Sequence, residues 1–289
     1  MNAYFGTAGN PGSFYAAGFK SSVDMPAWLR EQGLNAYEYQ CVKGVYIKEE
    51  TARKLGEAAR ANGIKLSIHA PYYISLATED PDIRAKTRGH VLKSVRAADW
   101  MGAKTVVLHP GGGKLDRSGS LRRAMALLAE MLEEVNQAGL GHIRLAPETM
   151  GKANQLGNLE EILELCALGP GIVPAVDFGH LHAAGAGALN SEEDFAAVLD
   201  RVESALGLEM LKRLHVHFSP VEFTRAGEKC HRTTLDEGFG PDFAPLARLI
   251  AARGLSPTII CESRGRQAED AIIYRDLYLG ELAKNNSGG

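Results

Sequence analysis

Short apolar segments that are typical of buried β-strands alternate along the whole chain with longer segments that are typical of helices. Eight such units predict a parallel sheet with helices outside it, closed into an α/β fold of the (β/α)8 barrel type. An open, doubly wound sheet is the structural alternative, but no GxGxxG motif follows the first strand to suggest dinucleotide binding. The predicted strands are residues 3–6, 35–40, 64–69, 104–109, 142–148, 171–177, 211–218 and 257–262.

The helices are predicted from apolar periodicity and from glycines that follow the last periodic residue. No low-complexity segment or linker divides the chain, so residues 1–284 are predicted to form one domain, followed by a flexible tail at 285–289. A long loop is predicted at 222–240, and a loop rich in alanine and glycine after residue 177. The predicted helices are residues 25–32, 49–62, 81–101, 119–137, 159–167, 192–205, 242–253 and 268–283.

Composition excludes some classes of protein. Of the 289 residues, 45% are hydrophobic and 23% are charged, which is typical of a soluble globular protein. The four cysteines form no CxxC pair, and neither a signal peptide nor a membrane-spanning run is recognisable, so we expect a cytoplasmic protein. The net charge of −3 gives no overall attraction to nucleic acid, so a nucleic-acid partner would need a local basic patch.

The most informative stretch is IVPAVDFGHLH, residues 172–182, in which an apolar strand ends at Asp177 and is followed by His180. A carboxylate at the end of a buried strand must be paired, hydrogen-bonded or bound to a metal. Six consecutive predicted strands end in an imidazole or a carboxylate, and in a barrel these ends share the rim where active sites lie. The six residues are His69, His109, Glu148, Asp177, His217 and Glu262.

Any one of these residues could be an ordinary, hydrogen-bonded polar side chain. Three carboxylates gathered at one rim would repel one another strongly unless cations lay between them, so the set predicts more than one metal ion. We expect His90 and His142 to be ordinary polar residues, and the role of His182 stays open. His215 shares the strand parity of His217 but lies deeper, so we expect it to support a ligand.

Six motifs also carry a resemblance to a known family. They are IHAPYYISL (68–76), VLHPGG (107–112), PETMGKANQLGNLEE (147–161), VDFGHLHA (176–183), HVHFS (215–219) and IICES (259–263). Together they span nearly the whole chain, which resembles the endonuclease IV family of metal-dependent apurinic/apyrimidinic endonucleases. That family lies within the xylose isomerase-like TIM barrel superfamily, and this chain is similar to it as a divergent member.

The resemblance implies a centre of two or three zinc ions, with manganese as an alternative. Matching positions supply ligands to the first ion (His69, His109, Glu148), the second (Glu148, Asp177, His217, Glu262) and the third (His180, His231). Glu148 would bridge the first two ions, and Glu262 or Asp177 would orient the attacking water. The reaction implied is metal-assisted hydrolysis of a DNA phosphodiester at an abasic site, by a monomer without a membrane partner.

The third site departs from the family pattern. The family usually supplies this ion with an Asp-x-His pair, whereas residues 227–232 read GEKCHR and place Lys229 two residues before His231. A protonated lysine cannot be a ligand. Glu228 would substitute only if the segment bulges, and in that case we expect three ions rather than two. If it does not, Lys229 itself would offer positive charge to the phosphate.

Two groups of residues would contact DNA under this interpretation. Tyr72 resembles a family position that probes the lesion, where an aromatic ring can stack beside an unstacked base. Basic residues in the loops after the strands would form a local positive face, although a solvated charged surface explains them equally well. They are Lys114, Arg117, Lys152, Arg225, Lys229, Arg232, Arg264 and Arg266.

The alternative function is that of a single-metal sugar isomerase or epimerase from the same superfamily. Such enzymes hold one divalent ion with Glu, Asp, His and Glu, a pattern that Glu148, Asp177, His217 and Glu262 also satisfy. Glu38, near the end of the second strand, would then contact the sugar. The additional histidines favour the nuclease, and they also make a non-catalytic binding module the least favoured function.

Overall fold

The computed structural model describes residues 3–113 and 116–287, with the backbone alone described at 286 and 287. Eight parallel strands form one sheet in the order β5-β4-β3-β2-β1-β10-β7-β6, and β8 and β9 form a separate antiparallel hairpin. The strands are β1 (Tyr4–Ala8), β2 (Ala36–Gln40), β3 (Lys65–His69), β4 (Thr105–Leu108), β5 (Arg144–Pro147), β6 (Ala175–Asp177), β7 (His215–Phe218), β8 (Val221–Thr224), β9 (Gly227–His231) and β10 (Thr258–Cys261).

The two outer strands of this sheet, β5 and β6, meet and nearly close it. Parallel bridges join Leu145 to Ile172 and Glu148 to Ala175. The Leu145 amide donates to the Gly171 carbonyl over 2.9 Å, and the Thr149 amide donates to Ala175 over 3.0 Å. The predicted (β/α)8 barrel is therefore confirmed.

The helices begin and end where local sequence signals indicate. Asp80 caps α4 by accepting from two backbone amides, and Gly63 and Gly102 end α3 and α4 in the left-handed conformation that glycine favours. The helices are α1 (Gly12–Ala16), α2 (Met25–Glu31), α3 (Glu49–Asn62), α4 (Pro81–Met101), α5 (Arg117–Gln137), α6 (Leu159–Cys166), α7 (Phe178–Ala184), α8 (Glu192–Leu206), α9 (Leu208–Lys212), α10 (Ala244–Ala252) and α11 (Gln267–Ser287).

Three predictions of local structure are wrong. The loop expected after residue 177 is the helix α7, because the Asp177 side chain accepts from the His180 amide and caps it. The long loop expected at 222–240 contains the hairpin β8–β9. Residues 211–212, expected to begin the seventh strand, belong to α9.

Apolar residues pack on both faces of the sheet. The larger cluster joins the outer face to the helices, and a small one, formed by Val107, Ala146, Val173 and Ala175, lies apart from it. Three of these four residues share strand parity with His109, Glu148 and Asp177, so the small cluster lies on the inner face. The inner face also carries buried polar side chains, among them Glu38 and His217.

Two further features concern the C-terminal helix and the apolar character of the described helices. Helix α11 extends to Ser287, while residues 288–289 lie outside the described part, so the flexible tail stays a prediction. None of the described helices combines the length and the apolar character needed to cross a bilayer.

Candidate metal centre

Glu148, directly after β5, is the carboxylate around which the site is built. Its Oε2 lies 3.2 Å from His69 Nε2 and 3.1 Å from His109 Nε2, and its Oε1 lies 2.9 Å from His217 Nδ1. Burial alone would raise the pKa of Glu148, but His217, His109 and His69 hold it well below its usual range. An ionised carboxylate whose two oxygens face different imidazoles has the geometry that a bridge between two cations requires.

A second group of ligand atoms shares Glu148. It comprises Glu148, Asp177, His217 and Glu262, whose ligand atoms all lie within 4.8 Å of one another. Asp177 Oδ1 accepts from the His180 amide over 2.7 Å, whereas its buried Oδ2 has no hydrogen-bond partner and lies 3.5 Å from His180 Nδ1. A buried carboxylate oxygen without a hydrogen bond is costly unless a cation lies against it, so this donor set fits a metal ion.

A third group comprises His180, Glu228 and His231. His180 Nδ1 donates to the Thr149 carbonyl over 2.9 Å, which leaves Nε2 with its lone pair, 3.9 Å from Glu228 Oε2. His231 Nδ1 contacts Ser219 Oγ over 2.8 Å, so its Nε2 is the atom that remains for a ligand. Two imidazoles and one carboxylate are a donor set that zinc accepts.

Glu228 reaches this group because β9 contains a β-bulge. Phe223 pairs with Glu228 and Glu222 pairs with Cys230, so Lys229 is an extra residue without a partner in β8. Residues three apart face opposite sides of a regular strand, and the extra residue turns Glu228 and His231 to the same side. Space for them depends on Gly151, where a Cβ atom would lie 2.6 Å from Glu228 Cβ and 3.0 Å from His180 Cδ2.

Lys229 does not face the metal groups. Its Nζ lies 2.6 Å from Glu222 Oε1, and its side chain is 59% exposed. Arg232 forms an ion pair with the same carboxylate. The expectation that Lys229 offers charge to a phosphate is therefore not supported by its position.

Glu38, in β2, is a buried carboxylate beneath the centre. Its Oε1 lies 3.0 Å from His217 Nε2, and its Oε2 lies 2.9 Å from His215 Nε2 and accepts from Ser67 Oγ over 2.8 Å. Burial alone would raise the pKa of Glu38, but His217 and His215 hold it well below its usual range. Glu38 is fully buried and does not line the cavity above, so its position does not support the sugar contact that the epimerase alternative would give it.

Sequence reasoning missed this support for His217. A glutamate in the middle of a buried strand was the available signal, since Ala36, Glu38 and Gln40 share one face of β2. His215, expected to support a ligand, contacts Glu38 through Nε2 and packs edge-on against His217, with ring centroids 5.3 Å apart. Carboxylate–histidine–metal arrays of this kind fix the orientation of the imidazole and raise its basicity.

Three histidines of the centre, His69, His180 and His217, carry raised pKa values. Burial alone would lower the pKa of His69 and of His180. Contact with Glu148 outweighs burial at His69, and the charges of Asp177 and Glu148 outweigh it at His180, so the pKa of each imidazole rises to about 9. Burial would also lower the pKa of His217, which Glu38, Glu262 and Glu148 raise well above its usual range. A metal ion must therefore displace protons from these imidazoles.

A cavity of about 300 Å³ opens above the three groups. His69, His109, His180, His231 and Glu262 line it from the barrel side. Tyr72 lies on its rim with 56% of its surface exposed, so the ring is accessible to a ligand.

The remaining histidines lie outside the three groups. His142 contacts Asp99 at the surface over 3.1 Å, and His90 packs edge-on against Tyr73. His182 accepts from the Leu189 amide over 3.2 Å, and burial lowers its pKa.

Fewer basic side chains are available for a polyanion than the sequence indicates. Arg117 pairs with Glu161, and Arg266 lies 3.6 Å from Asp270. Lys114 lies outside the described residues. Within the described ranges, Lys152, Arg225 and Arg264 are exposed and have no carboxylate partner, and of these Lys152 lines the cavity.

Relatives share both sequence and fold with this chain. An uncharacterised protein of Methanocaldococcus jannaschii is 34% identical over 95% of this chain and 96% of its own length. The probable endonuclease 4 of Staphylococcus epidermidis is 30% identical, over 60% of this chain and 58% of the relative. That alignment leaves more than a third of the relative uncovered.

Solved structures resemble the whole barrel. Endonuclease IV from Thermus thermophilus superposes with a TM-score of 0.68 at 21% identity, covering 98% of both chains. An L-ribulose 3-epimerase superposes with a TM-score of 0.70 at 15% identity, covering 99% of this chain and 97% of the other. At these identities the superpositions establish the fold alone. The sequence also matches the family described as xylose isomerase-like TIM barrel over residues 26–278, and the chain belongs to that family.

Proposed function

We propose that this protein is a metal-dependent endonuclease of the endonuclease 4 type, which hydrolyses DNA phosphodiester bonds at abasic sites. The observation that carries the proposal is the group His180, Glu228 and His231, beside the group that contains Glu148. An enzyme that uses one ion needs neither this third group nor His69 and His109. The ligands would be His69, His109, Glu148, Asp177, His180, His217, Glu228, His231 and Glu262, holding three zinc ions or manganese in their place.

Two independent observations support this proposal. The probable endonuclease 4 of Staphylococcus epidermidis is similar in sequence over 60% of this chain. The four cysteines are free, which is compatible with an enzyme of the reducing cytoplasm, where DNA repair takes place.

Bound ions would polarise a phosphate oxygen and acidify the water that attacks it. Of the carboxylates Glu148, Asp177 and Glu262, Glu262 is the one that lines the cavity, with 15% of its side chain exposed. Burial raises the pKa of Glu262, although His217 and His231 oppose this shift. A carboxylate with a raised pKa is suited to accept the proton of the attacking water, while Asp177 stays buried and holds α7 and an ion in place.

DNA would approach the rim of the cavity. Tyr72 offers an exposed ring next to the ligands, and Lys152 and Arg264 offer charge that no carboxylate of the described residues neutralises. Phosphate contacts by such residues would make binding weaken as salt rises. The ring of Tyr72 would provide the distinction between an abasic site and intact duplex.

A sugar epimerase is the second candidate, and the group of Glu148, Asp177, His217 and Glu262 favours it. This group holds one ion without the others. A cavity of about 300 Å³ also has the size of small-molecule sites. Epimerases are among the solved structures that share the fold.

Metal content and substrate decide between the two functions. Native protein should contain three ions and should cleave a duplex with one abasic site, without converting ketohexoses such as fructose into their 3-epimers. Glu228→Ala should lose one ion, whereas the adjacent Lys229→Ala, its matched control, should keep all three. A single ion per chain, together with epimerisation of a ketohexose, would overturn the endonuclease in favour of the epimerase.

A further inference from the structure

The opposite end of the barrel, where the strands begin, contains a second cavity of about 360 Å³. Its mouth carries Lys65, the first residue of β3, Arg144, the first residue of β5, and Lys104, which precedes β4. Arg213, two residues before β7, lies on the same mouth. Nothing in the proposed endonuclease chemistry uses these residues, because the metal ligands lie at the other ends of the same strands.

These cations are poorly neutralised. Glu209 is the one carboxylate that lines the cavity among the described residues, and it already contacts Lys212 over 2.8 Å and Arg213 over 3.6 Å. Within the described part of the chain, Lys65, Lys104 and Arg144 have no carboxylate partner. Lys65 instead lies over the ring of Tyr4, 4.5 Å from its centroid. Like charges that line one cavity repel one another, and an anion between them would relieve that repulsion.

The floor of the cavity is polar and well buried. His215, 7% exposed, and Thr258, 2% exposed, lie at the starts of adjacent strands, paired in register. His215 Nε2 contacts Glu38, so Nδ1 is the ring nitrogen that remains for a ligand in the cavity. The cavity therefore has long, positively charged side chains at its mouth and buried hydrogen-bonding side chains at its base.

One wall of the cavity is apolar. Val173, Pro174 and Met210 line it between the starts of the strands and α9. Such a wall offers nothing to a bare inorganic anion and contacts the carbon skeleton of an organic one. A volume of about 360 Å³ falls within the range of small-molecule sites and is too small for a macromolecule to enter.

We propose that this cavity binds a small organic phosphate, with the phosphoryl group among Lys65, Lys104 and Arg144 and the organic part against Met210 and Pro174. Lysine and arginine are the usual partners of phosphate oxygens, and arginine can donate two parallel hydrogen bonds. Burial and the neighbouring Arg213 and Arg144 lower the pKa of Lys65. A bound phosphate would reverse this shift by supplying the opposite charge.

The test is calorimetric titration of the metal-loaded protein with AMP, inorganic phosphate and adenosine. AMP should bind, inorganic phosphate should bind more weakly because it leaves the apolar wall bare, and adenosine should give no measurable heat. The double variant Lys65→Gln/Arg144→Gln should weaken AMP binding by roughly tenfold or more. The matched control is Arg53→Gln/Lys54→Gln, which removes one arginine and one lysine from the exposed face of α3 and should leave affinity unchanged.

Several results would overturn the proposal. One is the absence of AMP binding at millimolar concentration, and another is equal binding of adenosine, which would show that the phosphate is not recognised. A third is AMP affinity that survives the double variant and disappears in Glu148→Gln, because the nucleotide would then occupy the metal centre. If the double variant does not fold, Lys104→Gln gives the same comparison with one exposed side chain changed, and unchanged affinity there would equally count against the site.

Discussion

The two ends of the barrel differ in the charged groups that the same strands bring to them. At the start of β3 and β5 lie Lys65 and Arg144, and at or just after their ends lie His69 and Glu148. Parallel strands bring all their first residues to one mouth and all their last residues to the other. Because the cations lie at the starts of these strands and the candidate metal ligands at or just after their ends, the two sets of side chains form two separate sites.

The electrostatic consequences at the two ends are opposite. At the metal centre, carboxylates raise the pKa of His69 to about 9 despite its burial. At the other end, burial and like charges lower the pKa of Lys65. The first end contains the carboxylates that neutralise protonated imidazoles or metal ions, whereas at the second end Glu209, the one carboxylate of the described residues that lines the cavity, already contacts Lys212 and Arg213. The charged groups at the metal end thus pair with one another, whereas the cations at the other end would be neutralised by a bound anion.

A polar chain through the barrel connects the two ends. His215 on the floor of the cationic cavity contacts Glu38, Glu38 faces His217, and His217 contacts Glu148, with separations of 2.9, 3.0 and 2.9 Å. Each step joins an imidazole nitrogen to a carboxylate oxygen. The two sites therefore share structural support although they face opposite directions.

The largest effect is expected from Glu148→Gln. The amide cannot serve as an anionic bridge, so metal occupancy and turnover should both fall. The loss of turnover should exceed the roughly 100-fold that is typical when a residue hydrogen-bonded to a metal ligand is removed. Cleavage of an abasic duplex and metal analysis measure the two effects. Arg144→Gln, at the start of the same strand, should change neither, and equal losses in both variants would abolish the distinction between the ends.

A smaller effect is expected from Glu38→Gln, which tests the support beneath His217. Loss of the negative charge should weaken metal affinity by roughly 10- to 100-fold, because an imidazole without its carboxylate partner is a poorer ligand. Affinity is measured by competition with a chelator, and thermal unfolding serves as a check on the fold. Metal affinity equal to that of the native protein would show that Glu38 contributes to packing alone.

Tyr72→Ala should affect only the metal end of the molecule. Removal of a stacking ring costs about 1–3 kcal/mol per base in single-strand binding, so preference for an abasic duplex over an intact one should fall about tenfold. Competition binding with the two duplexes at fixed salt measures the preference. Equal loss on both DNAs would contradict a role in lesion recognition, and AMP binding at the opposite end should be unchanged.

The smallest effect is the pH dependence of metal-free protein. His69 and His180 have folded pKa values of about 9, above the unfolded value of about 6.5. Their contribution to stability is complete below pH 6.5 and is lost as the pH rises through 9. Chelated protein should therefore unfold at a temperature several degrees lower at pH 9 than at pH 6.5.

Metal-loaded protein is the control for this prediction. Ions and protons compete for the same imidazoles, so its unfolding temperature should rise over the same pH interval. A metal-free protein whose unfolding temperature stays constant or rises from pH 6.5 to pH 9 would contradict the raised pKa values. Replacing Lys65 with Gln should leave the sign of both trends unchanged, because that residue lies at the other end.

The sequence by itself determined the barrel and the inner rim of imidazoles and carboxylates. Strand parity is a local property, so a polar residue such as His69 or Asp177 at the end of an apolar strand can be assigned to the inner face without knowledge of the fold. Helix ends at Gly63 and Gly102 are likewise fixed by a conformation that glycine adopts readily. Helix α7 was missed because the alanines and glycines that follow Asp177 were interpreted as a loop, whereas the Asp177 side chain caps a helix there.

Only the tertiary structure decided which polar groups meet across the barrel. Glu38 and His217 lie far apart in sequence, and their contact depends on how β2 and β7 curve toward one another around a closed sheet. The bulge at Lys229 fixes the face on which Glu228 lies, through pairing with β8 that residues 227–232 alone do not reveal. The mouth of the cationic cavity contains Lys65, Lys104 and Arg144, which come from separate parts of the sequence. They lie together because barrel closure brings the first residues of the strands to one end, and no local sequence pattern indicates this.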